Sequence, residues 1–163
     1  MEIALGGWQF NGIYTLQSGM PFDLNVGGTE RPDLVGKFSV NPGDIADYIN
    51  ASAFAGPPAT LYPDGSVNFN RPGTAGRNIL IGPGYSNLDF SLIKNFHVTE
   101  RVNVTFRVQF YNITNTPHFG QPNGQLGTYN NAAVFQPNGQ FGLISSVLPF
   151  SNREGELALR IVF

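Results

Sequence analysis

Arg101-Val102-Asn103-Val104-Thr105-Phe106-Arg107-Val108-Gln109-Phe110-Tyr111 alternates without a break. Val102, Val104, Phe106, Val108 and Phe110 share one parity, and Arg101, Asn103, Thr105, Arg107 and Gln109 share the other. Successive side chains of a strand point to opposite faces, so this run predicts a ribbon that is apolar on one side and polar, partly cationic, on the other. A strand this regular stands between two different solvents.

The same period closes the sequence, with Leu157, Leu159, Ile161 and Phe163 on one parity and Ala158, Arg160 and Val162 on the other. Two more runs repeat it. From about 7 to 17, Trp8, Phe10, Tyr14 and Leu16 oppose Gln9, Asn11, Thr15 and Gln17, with Ile13 as the exception. From about 85 to 97, Leu88, Phe90, Leu92 and Phe96 oppose Asn87, Asp89, Ser91 and Asn95; Lys94 takes the apolar parity here and Ile93 the polar one. A strand of about ten residues at roughly 3.3 Å each, tilted by about 40°, rises on the order of 25 Å, the height of the apolar band of an outer-membrane barrel. Typical globular strands are about half as long.

Composition points the same way. The 163 residues are 41% hydrophobic, enough for a packed domain, but only 12% are charged and the net charge is −2. No broad basic face for nucleic acid is expected. Twenty Gly, twelve Pro and 13% aromatic residues describe strands joined by turn-rich connections rather than helices. The absence of Cys excludes disulfides and thiolate metal sites. No apolar run is long enough for a transmembrane helix, which leaves a barrel untouched because its membrane signal is alternation. The opening Met1-Glu2-Ile3-Ala4-Leu5-Gly6-Gly7-Trp8 has neither the basic nor the long apolar region of a signal peptide.

Only His97-Val98-Thr99-Glu100 separates the second run from the third, which predicts an antiparallel hairpin. The other connections, about 18–84 and 112–152, are long and broken by Ser18-Gly19-Met20-Pro21, Asn41-Pro42-Gly43-Asp44, Arg71-Pro72-Gly73, Gln121-Pro122-Asn123-Gly124 and similar words. Within them, Asp44 to Asn50 admits a short helix and Phe141 to Val147 a short β segment. Brief turns on the periplasmic side and extended loops outside are the pattern of outer-membrane barrels. The expected class is therefore all-β: an antiparallel up-and-down transmembrane β-barrel fragment with strands at about 7–17, 85–97, 101–111 and 154–163 and two long extracellular loops.

An ordered series of words then resembles a known family. Gln17-Ser18-Gly19-Met20-Pro21-Phe22, Arg31-Pro32-Asp33-Leu34-Val35-Gly36, Gly76-Arg77-Asn78, Asn87-Leu88-Asp89-Phe90-Ser91-Leu92, Phe110-Tyr111-Asn112, Asn115-Thr116 and the final Leu157-Ala158-Leu159-Arg160-Ile161-Val162-Phe163 resemble the carboxy-terminal barrel of Oar-like TonB-dependent outer-membrane transporters. The resemblance covers nearly the whole chain, and its specificity lies in the order of the words. It implies the last four or so strands of a 22-stranded barrel in a bacterial outer membrane. It also implies energised solute uptake, with wall, loops and assembly signal supplied by this segment. No plug, TonB box or regulatory domain is recognisable here, so the resemblance implies amino-terminal strands, a plug and contact with the TonB complex through a region outside these residues. Four strands cannot close, and in lipid an unpaired edge costs on the order of several kcal/mol per backbone group.

On this reading Leu88, Phe90, Leu92, Val102, Val104, Phe106, Val108 and Phe110 face lipid, while Asp89, Arg101, Arg107, Gln109 and Arg160 face the lumen. Their bland alternative is a solvated wall with weak cross-strand pairs. Leu157, Leu159, Ile161 and Phe163 are implied by the family as the signal read by the barrel assembly machinery; the alternative is an apolar strand end. Lys94, next to the tight turn, is expected to snorkel to an interface. Trp8, Tyr14, Phe96, Phe110 and Tyr111 suit aromatic girdles or core packing, and their placement toward strand ends favours girdles.

Catalytic and cofactor signatures are not found. His97 with Glu100 matches no zinc spacing, and His118 stands alone. Asp44 with Asp47, and Asp64-Gly65-Ser66, lack the ligand density of a calcium loop and read as turns. Asn112-Ile113-Thr114 matches a glycosylation sequon that carries no weight in a bacterial barrel. A non-enzymatic role without cofactor is expected, with an unreadable solute. The competing classes are a soluble β-sandwich carbohydrate-binding module and a surface or adhesion barrel without transport.

Overall fold

The computed structural model describes residues 6–163; Met1 to Leu5, and with them most of the amino-terminal reading, lie outside the described residues. The chain divides into two compact units. The first contains the described residues up to Ser18, then Gly84–His118 and Val147–Phe163; the second contains Gly19–Pro83 and Phe119–Ser146.

The first unit is built on a four-stranded sheet of Trp8–Gln17, Tyr85–His97, Asn103–Tyr111 and Glu154–Val162, in that spatial order and antiparallel throughout. Chain order and spatial order coincide, as in an up-and-down meander. The sheet is open: Trp8–Gln17 and Glu154–Val162 are its two edges. Each strand boundary lies within one residue of where alternation placed it. The exception is the start of the third, two residues late, because Arg101 and Val102 belong to the turn. There Val98 N–H donates to Val102 O (3.0 Å), while Thr99 Oγ1 accepts from Arg101 N–H (3.4 Å) and Val102 N–H (3.1 Å). A threonine hydroxyl that occupies nearby backbone donors favours the turn over two more rungs of ladder.

The second unit is where expectation and structure part. The two long connections are not open loops; they pack on one another around a core that includes Val26, Ile49, Phe54, Leu80, Leu126 and Phe141. Gln125–Tyr129 lies between Phe135–Pro137, antiparallel, and Asn25–Val26, parallel, so one small sheet joins the first connection to the second. Asn25 N–H to Gly124 O (3.0 Å) and Ile144 N–H to Ile45 O (2.8 Å) extend the join. Three two-stranded pieces complete the unit: Pro21–Phe22 with Leu80–Ile81, Asp33–Leu34 with Phe54–Ala55, and Ala59–Leu61 with Val67–Phe69. Beside the first of these, Gly19 passes so close to the other segment that a Cβ there would stand 1.7 Å from Gly82 O, which only glycine permits.

Two local expectations fail. Asp44 to Asn50 forms no helix, because Asp44 Oδ1 accepts from Ala46 N–H (2.9 Å) and Asp47 N–H (3.2 Å), satisfying those donors in a turn. A single 3-10 turn follows at Ala51–Ala53. Phe141 to Val147 forms no strand either; the β structure of that connection lies earlier, at Gln125–Tyr129 and Phe135–Pro137. Gly127 and Pro137 interrupt those runs and hid them from a two-residue period.

Candidate functional site

Register turns four separate alternations into two continuous faces. Phe10 pairs with Leu92, Leu92 with Val108, and Val108 with Leu157. The neighbouring rows read Trp8, Lys94, Phe106, Leu159 and then Phe96, Val104, Ile161. Toward the other end, Phe90 and Phe110 pair between Gly12 and Gly155. A slip of one residue in any ladder would mix the faces, so the alignment is set by all three pairings together. Among the described residues the apolar face is left open at the edges, where Phe10 is 67% and Leu157 71% exposed.

The opposite face carries Asn95, Thr105 and Arg160 in one row, Ile93, Arg107 and Ala158 in the next, then Asn11, Ser91, Gln109 and Glu156, and finally Tyr111 beside Glu154. Asp89, Arg107, Gln109 and Arg160 therefore share one face, and Arg101 does not because it lies in the turn. Leu88, Phe90, Leu92, Val104, Phe106, Val108 and Phe110 share the other, and Val102 again falls in the turn. Tyr111 stands on the polar parity, away from the other aromatic candidates. Along the polar face charge is segregated: the arginines lie toward the 98–102 turn, and Asp89, Glu154 and Glu156 toward the end from which both long connections depart.

Lys94 shows how a cation sits on an apolar face. It is 3% exposed, its Nζ lies 4.6 Å from the Trp8 ring centroid and 5.3 Å from that of Phe96, and it donates to Gly6 O. Ring quadrupoles and a backbone carbonyl replace the water that the ammonium gives up.

At the departing end, two polar residues fix the geometry. Asn112 is 1% exposed with φ 47°; its Nδ2 donates to Ser151 O (2.7 Å) and Thr116 O (2.9 Å), and its Oδ1 accepts from Thr116 N–H (3.0 Å). Its own N–H donates to Asp89 Oδ1 (2.9 Å), which also accepts from Asn87 Nδ2 (2.8 Å). His118 is buried with Nε2 3.1 Å from Ser86 O, its ring centroid 4.2 Å from that of Tyr85 and its N–H donating to Ser151 Oγ (2.7 Å). Sequence reasoning passed over Asn112 as an idle sequon and left His118 without a task. The only signal was an Asn directly after a strand, a residue type that tolerates the left-handed region.

Between these residues and the start of the last strand a cleft of about 360 Å³ opens, lined by the aromatic residues Tyr85, Tyr111 and Phe150, the acidic residues Asp89 and Glu154, and asparagines that include Asn87. Among the described residues no three His, Asp or Glu side chains gather as a metal-ion site. Asp64 accepts from Ser66 N–H (2.9 Å) and Oγ–H (2.6 Å), which holds its carboxyl below the ordinary range and explains it as a turn. Phe163 follows the last strand and is 97% exposed.

In the second unit, the Arg71 guanidinium makes two bonds to Asp33, and with Thr74 N–H (3.0 Å) it holds the Asp33 carboxyl below the usual carboxylate range against the opposing effect of burial. Burial pushes the Tyr48 and Tyr129 phenols up.

A family model described as an outer membrane beta barrel domain matches residues 1–156. No curated protein and no solved structure matches the chain.

Proposed function

The chain belongs to the outer membrane beta barrel domain family, and from that premise we propose that it forms a wall segment of an Oar-like TonB-dependent transporter in a bacterial outer membrane. The observation that carries this reading is the alignment of Phe10, Leu92, Val108 and Leu157 across four strands on a face that is exposed at both edges, at Phe10 and Leu157. In lipid that face is at home, and in water it would be an adhesive patch. The polar face then looks into the lumen. The two edges pair with strands supplied by further barrel sequence, since an open ladder is not stable in hydrocarbon.

The ordered sequence words support the transporter class within the family, whose members carry long extracellular loops such as these connections. The role proposed for these residues is passive in chemistry: wall, extracellular loops and a carboxy-terminal signal for the assembly machinery, with uptake energised through TonB. An aligned apolar face open at both edges gives no support to a soluble sandwich, whose inner face would be covered.

The test uses the whole protein in outer membranes. Single cysteines at Val108 and Gln109 are challenged with a membrane-impermeant maleimide, and uptake of candidate solutes is compared with and without functional TonB. Labelling at Gln109 but not at Val108, with TonB-dependent uptake, supports the proposal; equal labelling removes the wall, and TonB-independent uptake removes the transporter class.

A further inference from the structure

The cleft on the polar face has a composition that a merely solvated wall does not need. Asp89 and Glu154 alone would be two hydrated carboxylates. Tyr85, Tyr111 and Phe150 line the same space of about 360 Å³, and aromatic residues beside acidic ones favour a cation whose surface is partly carbon.

The walls are held from behind. Tyr85 packs in a tilted arrangement against buried His118, and Asp89 is oriented by Asn112 N–H and Asn87 Nδ2. The rim is of a different kind: Phe150 has φ 59° and is 84% exposed, a backbone conformation unfavourable for a bulky residue that presents its ring at the opening. Glu154 is exposed on the first residue of its strand, opposite Tyr111. Arg107 and Arg160 lie further along the same face toward the turn, so the acidic end is where a positive group is drawn first.

We infer that this cleft is a subsite for the ammonium or guanidinium group of a small organic cation. Asp89 supplies a fixed carboxylate, Glu154 a movable one, and Tyr85, Tyr111 and Phe150 supply ring faces. The inference rests on the barrel-wall reading only in taking the polar face as the lumen.

The experiment uses the whole protein extracted from outer membranes, with agmatine as probe and succinate and 1,4-butanediol as anionic and neutral controls of similar length, read by titration calorimetry. Glu154→Gln lies on the exposed rim, and Asp89→Asn keeps an acceptor oxygen for Asn112 and Asn87. Heat-modifiable electrophoretic migration verifies that each variant is folded. Agmatine is expected to bind, the controls not to, with Glu154→Gln and Asp89→Asn each weakening agmatine by about three- to tenfold and Tyr111→Leu by about threefold. A folded, membrane-derived protein that ignores millimolar agmatine overturns the subsite, as does binding unchanged in both carboxylate variants or matched by succinate. If the wild-type protein is instead absent from the membrane fraction, the wall reading fails, a result separable from the loss of the subsite alone.

Discussion

Arg71 grips Asp33 with two parallel bonds, Nη1 to Oδ1 and Nη2 to Oδ2, each 2.7 Å long. Two residues 38 positions apart in the chain thereby close the first long connection on itself. The Asp33 carboxyl is held below its unfolded value of 3.8, so its contribution to folding is present above that pH and is lost as pH falls through the lower, folded value. Limited proteolysis of the membrane-embedded protein should show protected connections at neutral pH and faster cleavage within 19–83 below about pH 4. Asp33→Asn should cleave faster at neutral pH and lose that acid dependence. Cleavage indifferent to both acid and the substitution contradicts the assignment.

Asn112 is the most consequential single side chain at the departing end. Asn112→Ala removes its side-chain bonds, strands buried partners and places a Cβ residue without compensation at φ 47°. A loss of about 2–4 kcal/mol is expected in urea unfolding of the micelle-bound protein. Asn112→Asp keeps the acceptor bonds but not the donors and should fall between; a change under about 0.5 kcal/mol would remove Asn112 from this role.

Val108 and Gln109 are neighbours in sequence with opposite surroundings. Val108→Arg is expected to cost about 2–4 kcal/mol of folding stability in lipid, and Gln109→Arg under about 1 kcal/mol. Similar penalties measured in phospholipid vesicles would contradict opposite solvents for the two faces.

Lys94 is predicted to depend on its rings. Trp8→Ala should lower stability by about 1 kcal/mol when Lys94 is present and by less when Lys94 is already methionine, a coupling read by a double-mutant cycle. Additive effects would mean that the ring and the ammonium do not act together.

Phe163 makes no demand on the fold that its near-complete exposure would not deny. Deleting it should leave refolding in detergent unchanged and reduce the amount assembled in outer membranes severalfold. Unchanged surface assembly removes the signal function.

The long strands were legible because alternation is a local property: the environment of Phe106 differs from that of Arg107, and the sequence records it residue by residue. Lys94 and Ile93 broke the pattern, and only the structure supplies the reason for the first, in Trp8, Phe96 and Gly6 O. The packed connections were illegible for the opposite reason. Val26, Ile49, Leu80 and Leu126 come from separated stretches without period, each short and interrupted by Gly or Pro, and their common core exists only after the chain has returned several times.

Strand positions, the two-faced character of each strand and the tight turn between the middle pair belong to the sequence, because each follows from side chains a few residues apart. Register belongs to the tertiary structure. So do the merging of four apolar stripes into one face, the joining of two distant connections around one core, and the meeting of Tyr85, Asp89, Tyr111 and Glu154 at one cleft. Those arrangements depend on hydrogen-bond ladders between segments up to about a hundred residues apart, and no local periodicity specifies which rung meets which.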